Sequence, residues 1–193
     1  MTLQFVYTAE FGSAVSPTSL RNPYNDYITI GSDFIPDDYL QNMITDTHFY
    51  QRDRMGRLIA FVSRIAQDSW ASIPPPESTL YKGCSDIRYG ARGIGVDEAT
   101  ALLIDSDFSV TITSWDSEGS AYLLCLDHMP QTCEHDADLE VEGITVVRLQ
   151  GNNTNAFDLN TWSITPNTQN VAKYELSASK GKLSSTHNGG NIY

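Results

Sequence analysis

Apolar positions change their period several times along the chain, and each change marks an element. Met55, Leu58, Ile59, Val62, Ile65 and Ala66 recur at helical spacing and predict a helix, with one apolar face, that ends near Asp68. Ahead of it, Gln41 to Thr45 reads as a short strand, so His48 stands where a strand ends and a helix is about to start. Leu3, Phe5, Val6 and Ala9 are spaced like the end of a helix over Thr2 to Glu10. Phe11 to Asp26 is rich in Ser, Pro, Asn and Gly and reads as loop, and Tyr27 to Ile30 as a short strand.

Trp70 to Arg92, with Pro74-Pro75-Pro76 inside it, predicts a long irregular insertion. Gly93 to Asp105 returns to regular structure, its apolar runs broken by a small-residue turn with two carboxylates, Asp97 and Glu98. Beyond it the pattern is strand-rich. Phe108 to Thr113 alternates, Asp116-Ser117-Glu118-Gly119 is a turn, and Ala121 to Leu126 is expected to return as its hairpin partner. Ile144 to Leu149, Phe157 to Trp162 and Val171 to Leu176 are further strands, and the polar tail from Ser184 to Tyr193 is expected to fray.

The 193 residues suit one domain, an α/β part over 1–105 and a strand-rich part over 106–193. Twelve basic residues stand against 24 acidic ones, a net charge of −12 with a sequence pI near 4.5. That balance argues against nucleic acid and anionic membrane surfaces as partners. No apolar run approaches the roughly 20 residues of a membrane span, and Met1-Thr2-Leu3-Gln4 lacks the charged start and apolar core of a signal peptide.

Charge makes one stretch stand out. Asp46 to Arg57 packs His48, Asp46, Asp53 and the three arginines Arg52, Arg54 and Arg57 into twelve positions. Arg52 and Arg54 fall in or just before the first helical turn, where the helix dipole disfavours a cation. Such arginines need partners: Asp46, Asp53 or Glu77, or else an anionic ligand. Asp46, His48, Asp97 and Glu98 are also oxygen and nitrogen donors that a metal-dependent hydrolase could use, though one histidine with scattered acids is a poor zinc set. Among the cysteines, Cys125 and Cys133 flank a turn-prone segment and are expected to lie within bridging distance, with Cys84 unpaired; two buried free thiols fit the spacing equally. Asn152-Asn153-Thr154 is a glycosylation sequon.

Two motifs in order carry a resemblance. Asp46-x-His48-Phe49-x-Gln51-Arg52-x-Arg54-Met55-Gly56-Arg57-Leu58, followed by Gly93-Ile94-Gly95-Val96-Asp97-Glu98-x-Thr100-Ala101, resembles cyanophycinase and its secreted bacterial relatives, serine-type peptidases related to dipeptidase E. Phe5 to Glu10, Asn22-Pro23-Tyr24 and Ile44-Thr45-Asp46 match the secreted branch, and the resemblance runs over about residues 3–149.

The resemblance implies the C-terminal part of a class I glutamine amidotransferase-like (flavodoxin-like) parallel sheet, followed by a hairpin-rich region. It implies His48 as general base and Glu98 as the carboxylate that orients it. Asp46, Thr47, Arg52, Arg54 and Arg57 are implied to line a cleft for an acidic or Asp/Arg-rich peptide, with no cofactor and no metal, in a protein that could form a homodimer. Thr47 departs from the glutamine of the cyanobacterial enzyme, which also lacks the Trp70–Arg92 insertion.

The family's nucleophile sits in a Gly-Thr-Ser-Ala-Gly-Ala turn, and the chain has no such turn and no Gly-x-Ser-x-Gly. The expectation is therefore a chain that starts just after the nucleophile, inactive alone. Gly12-Ser13-Ala14 is the nearest sequence, but the helical reading of Thr2 to Glu10 places it after a helix instead of between a strand and a helix.

Overall fold

The computed structural model describes residues 4–8, 12–31, 40, 42–70, 84 and 90–193, with the side chains of residues 4–6 and 8 excepted. Among these residues twelve strands and two α-helices follow one another as β1 (Gln4–Thr8), α1 (Ser16–Arg21), β2 (Thr29–Gly31), β3 (Met43–Thr47), α2 (Met55–Gln67), β4 (Arg92–Val96) and β5 (Thr100–Ile104). Then come β6 (Ser109–Ser114), β7 (Ser120–Leu126), β8 (Val141–Gln150), β9 (Asn153–Asp158), β10 (Ser163–Ile164), β11 (Val171–Ser179) and β12 (Lys182–Ser185). A mixed eight-stranded sheet runs β12-β11-β8-β7-β4-β3-β1-β2, and a second, four-stranded antiparallel sheet runs β10-β9-β6-β5.

The chain is thus mixed α/β. Its parallel pairs are β1 with β3 and β3 with β4, and the other strand pairs are antiparallel. Both faces of the large sheet are covered. Ile44, Tyr122, Leu124, Ile144 and Val146 pack toward α2, with Leu58, Phe61, Val62 and Ile65. Met43, Ile94, Leu123, Cys125 and Leu149 pack toward the second sheet, with Val110, Ile112 and Phe157.

Glycines set how close the layers come. A Cβ on Gly93 would stand 3.0 Å from Leu58 and Val62 of α2, and one on Gly95 would stand 2.5 Å from the Phe49 ring. The Gly-x-Gly of β4 therefore lets the helix and the turn before it lie directly on the strand. Among the described residues no helix is long and apolar enough to cross a membrane.

Several expectations change, the loop reading of Phe11 to Asp26 among them, since α1 lies inside it. Gln4–Thr8 is a strand, parallel to β3, and not the end of a helix. Its Phe, Val, Tyr and Thr favour extended backbone, and the pairing with β3 overrides the helix-like spacing of its apolar residues. β7 does not pair back onto β6: after the Asp116–Gly119 turn it crosses to the large sheet and lies between β4 and β8. All seven of its residues are buried, because layers cover it on both faces. Phe157 to Trp162 is not one strand; β9 ends at Asp158, and Trp162, with φ of +51°, lies between strands.

The cysteines change as well: Cys84 and Cys125 form the disulfide, with Cα atoms 5.5 Å apart, and Cys133 is free and buried. Cys125 points to the layer between the sheets and Cys133 to the helical layer, so they lie on opposite faces. Burial pushes the Cys133 thiol up to about 12. The tail changes too, returning to the helical layer: the Tyr193 ring stands edge-on to Phe49, Tyr50 and Tyr122. Apart from Trp70, Cys84 and residues 90–92, the Trp70–Arg92 insertion lies outside the described residues, and so does Glu77.

Candidate active site

β3 and β4 are parallel neighbours, with Thr47 opposite Val96, so both leave the sheet at the same edge. Carboxyl ends of neighbouring parallel strands are where open α/β sheets assemble ligand sites. From β3 the chain turns through His48 to Arg54 into α2, and from β4 it turns through Asp97, Glu98 and Ala99 into β5. His48 and Ala99 both adopt left-handed backbone, at φ of +50° and +52°.

Across the two turns His48 Nδ1 lies 2.6 Å from Glu98 Oε1, and each side chain is a little under half exposed (46% and 45%). A carboxylate there accepts from Nδ1–H and leaves the lone pair on Nε2. Among the described residues no other side chain hydrogen-bonds the imidazole. Phe49 N donates to Val96 O (3.2 Å), Tyr50 N to Asp97 Oδ1 (2.8 Å) and Glu98 N to Gln51 Oε1 (3.1 Å).

The other charged residues of the first motif have different surroundings. Arg57 is only 3% exposed and Asp46 5%. Arg57 forks onto Asp46, Nε to Oδ2 at 2.7 Å and Nη2 to Oδ1 at 2.6 Å, and Nη1 donates to Ser13 Oγ (2.8 Å) and Ala14 O (3.2 Å). Its guanidinium also lies over the rings of Tyr7 and Phe61. Asp46 and Arg57 therefore face inward and satisfy one another; the cleft-lining places expected for them are not where they sit.

Arg54 is mostly buried and reaches Asp46 Oδ1 (3.1 Å) and Thr47 O (2.6 Å). Its pKa is lowered, first by burial and then by neighbouring Arg57 and Arg52, with Asp46 opposing. Arg52 is exposed and makes no ion pair with a described residue, so it is the member of the trio free to meet a ligand. Thr47 is exposed as well. Two guanidiniums, of Arg54 and Arg57, share the one buried carboxylate of Asp46.

α2 has no capping side chain of its own at Arg54. Tyr193 Oη accepts from Met55 N (3.0 Å), and Ser16 Oγ from Gly56 N (3.0 Å) and Arg57 N (3.3 Å), so remote residues take the orphan donors. Tyr193 Oη in turn donates to Asp53 Oδ1 (2.8 Å), and Ser16 Oγ to Asp53 O. Neither residue carries a sequence signal for this role.

Gly12-Ser13-Ala14 does join a strand to a helix, β1 to α1, but the Ser13 hydroxyl is held by Arg57 and not by His48. Asp97 is buried with both oxygens accepting backbone N–H groups, from Tyr50 and from Ser120 (2.9 Å). Its pKa is raised by burial, against those hydrogen bonds. Among the described residues no three of His, Cys, Asp and Glu come together as a metal-ligand group. No protein-family model, curated protein or solved structure matches the chain.

Proposed function

We propose that this chain carries the general base and orienting carboxylate of a serine-type peptidase of the cyanophycinase kind, acting on an acidic or Asp/Arg-rich peptide. One observation carries the reading: His48 and Glu98 in contact at 2.6 Å, on neighbouring parallel strand ends, with Nε2 making no hydrogen bond to a described residue. The β1-β3-β4 parallel group is consistent with part of an amidotransferase-like sheet.

In this reading Glu98 accepts from Nδ1–H and fixes the tautomer whose Nε2 is a base. Nε2 takes the proton of a serine hydroxyl as its oxygen attacks the peptide carbonyl carbon. The imidazolium, stabilised by Glu98, then gives that proton to the leaving amine as the C–N bond breaks. Arg52 offers a guanidinium fork to a substrate carboxylate, and the Arg54–Arg57–Asp46 cluster adds a positive field behind it.

A binding protein without turnover is the second reading, favoured by the Ser13 hydroxyl lying on Arg57 and by no described hydroxyl lying on His48. A fluorophosphonate probe separates the two. The chain of residues 1–193 is expected to stay unlabelled. With a Gly-Thr-Ser-Ala-Gly-Ala turn built between β1 and α1, on the side where β1 and its parallel neighbour β3 end and His48 lies, the added serine is expected to react and to cleave acidic peptides. His48→Ala in that enzyme is expected to lower kcat by several orders of magnitude. Unchanged turnover after His48→Ala removes the peptidase mechanism, and labelling of Ser13 shows that the chain carries its own nucleophile.

A further inference from the structure

The His48–Glu98 contact joins two half-exposed side chains on two turns, and nothing in the pair itself holds those turns in register. A freely moving pair of this kind gains little, because ordering exposed side chains costs about what the contact returns. Both turns also contain left-handed non-glycine backbone, at His48 and Ala99, which neighbouring structure must hold in place.

Two side chains outside the pair supply the restraint. Asp97, 7% exposed, uses Oδ1 for the N–H of Tyr50 on one turn and Oδ2 for the N–H of Ser120 at the start of β7. Gln51 reaches the other way, its Oε1 accepting from the N–H of Glu98 itself. Backbone N–H groups only donate, so both sites demand acceptors, and a carboxylate is the side chain that can take two such donors at once. The Phe49 ring, seated over Gly95, closes the same junction from the helical layer.

We infer that Gln51 and Asp97 are positioning residues that latch the β3–α2 turn to the β4–β5 turn and so hold His48 in the tautomer protonated at Nδ1. The inference rests on the peptidase reading for its consequence in catalysis, but not for its test. Asp97→Asn keeps the shape and turns one acceptor into an NH₂ donor, so one of its two backbone partners is left facing a donor. Gln51→Met keeps length and removes the acceptor; Gln51→Glu keeps the acceptor.

Long-range ¹H–¹⁵N NMR of the imidazole reads the tautomer directly, with no turnover needed. The wild-type chain is expected to show His48 protonated at Nδ1. Gln51→Met and Asp97→Asn should lower the ratio of the Nδ1-H to the Nε2-H form about fivefold, the worth of one net backbone hydrogen bond. Gln51→Glu should retain the wild-type ratio, which a loss of general stability does not predict. Circular dichroism shows that each variant is folded. A wild-type ratio in folded Gln51→Met and Asp97→Asn overturns the latch, as does loss of the ratio in Gln51→Glu equal to that in Gln51→Met. If the tautomer responds as expected and His48→Ala leaves turnover of the serine-bearing enzyme unchanged, the latch stands and the peptidase reading falls.

Discussion

Two contacts to a carboxylate in the site have the same length and opposite surroundings. Arg57 Nη2 to Asp46 Oδ1 and His48 Nδ1 to Glu98 Oε1 are both 2.6 Å, yet the first pair has side chains 4% exposed and the second 46% and 45%. The buried pair is a two-pronged fork whose remaining donor goes to Ser13 and Ala14. It ties β3, α2 and the loop before α1 together, with nothing left to offer a substrate. The exposed pair is a single contact that leaves a ring nitrogen without a described partner. A short N–H contact to a carboxylate is common to both; spare hydrogen-bonding capacity at the surface is what distinguishes a group able to do chemistry.

The buried pair gives the largest expected effect. Asp46→Ala leaves Arg57, and behind it Arg54, without their carboxylate in a low-dielectric site, and breaking such a pair from one side costs about 3–5 kcal/mol. Denaturant unfolding should show that loss. Replacing both partners, Asp46→Leu with Arg57→Met, removes the stranded charge of Arg57 and should recover part of it. An Asp46→Ala midpoint near that of the wild type would dissolve the contrast between the two contacts.

The same contrast explains what could be read from the sequence. α2 is legible because its apolar stripe has the helical period, and the strand end before His48 because a short β run meets that stripe. The turn of Asp97 and Glu98 is legible as a break between two apolar runs. The inward place of Arg57 is not, since only packing against Tyr7 and Phe61 distinguishes it from Arg52. β7 carried a sign that a hairpin reading overlooks: Ala-Tyr-Leu-Leu-Cys-Leu is continuous and covered on both faces, whereas β6 alternates. Gln4–Thr8 shows the reverse error, where a helix-like spacing outweighed five residues of which four favour strands. Long-range partners such as Ser16 and Tyr193 at the start of α2 leave no local trace at all.

Tyr193 gives an effect of middle size. Tyr193→Phe keeps the ring among Phe49, Tyr50 and Tyr122 and removes the hydroxyl that Met55 N and Asp53 share, a loss of about 1–2 kcal/mol. Burial raises the Tyr193 pKa well above the 10.0 of a free tyrosine. A raised folded pKa contributes stability that is fully present below the unfolded pKa and lost as pH rises through the folded one. The gap between wild type and Tyr193→Phe should therefore be widest below pH 10 and shrink in more alkaline solution. A gap that widens with pH would mean the phenol is ionised in the fold.

Glu98→Gln should have the smallest effect on stability, and that is its use. Exposed pairs are worth under about 1 kcal/mol and are screened by salt, so its melting curve should stay close to the wild type and converge with it at high ionic strength. Glutamine can accept from Nδ1–H or donate to a bare Nδ1, so it holds the ring without choosing the tautomer. In an enzyme carrying the reactive serine, the same substitution should therefore slow the chemical step by orders of magnitude while the fold barely notices. A variant as unstable as Asp46→Ala would instead place Glu98 among the structural carboxylates, and the two contacts would then differ in exposure alone.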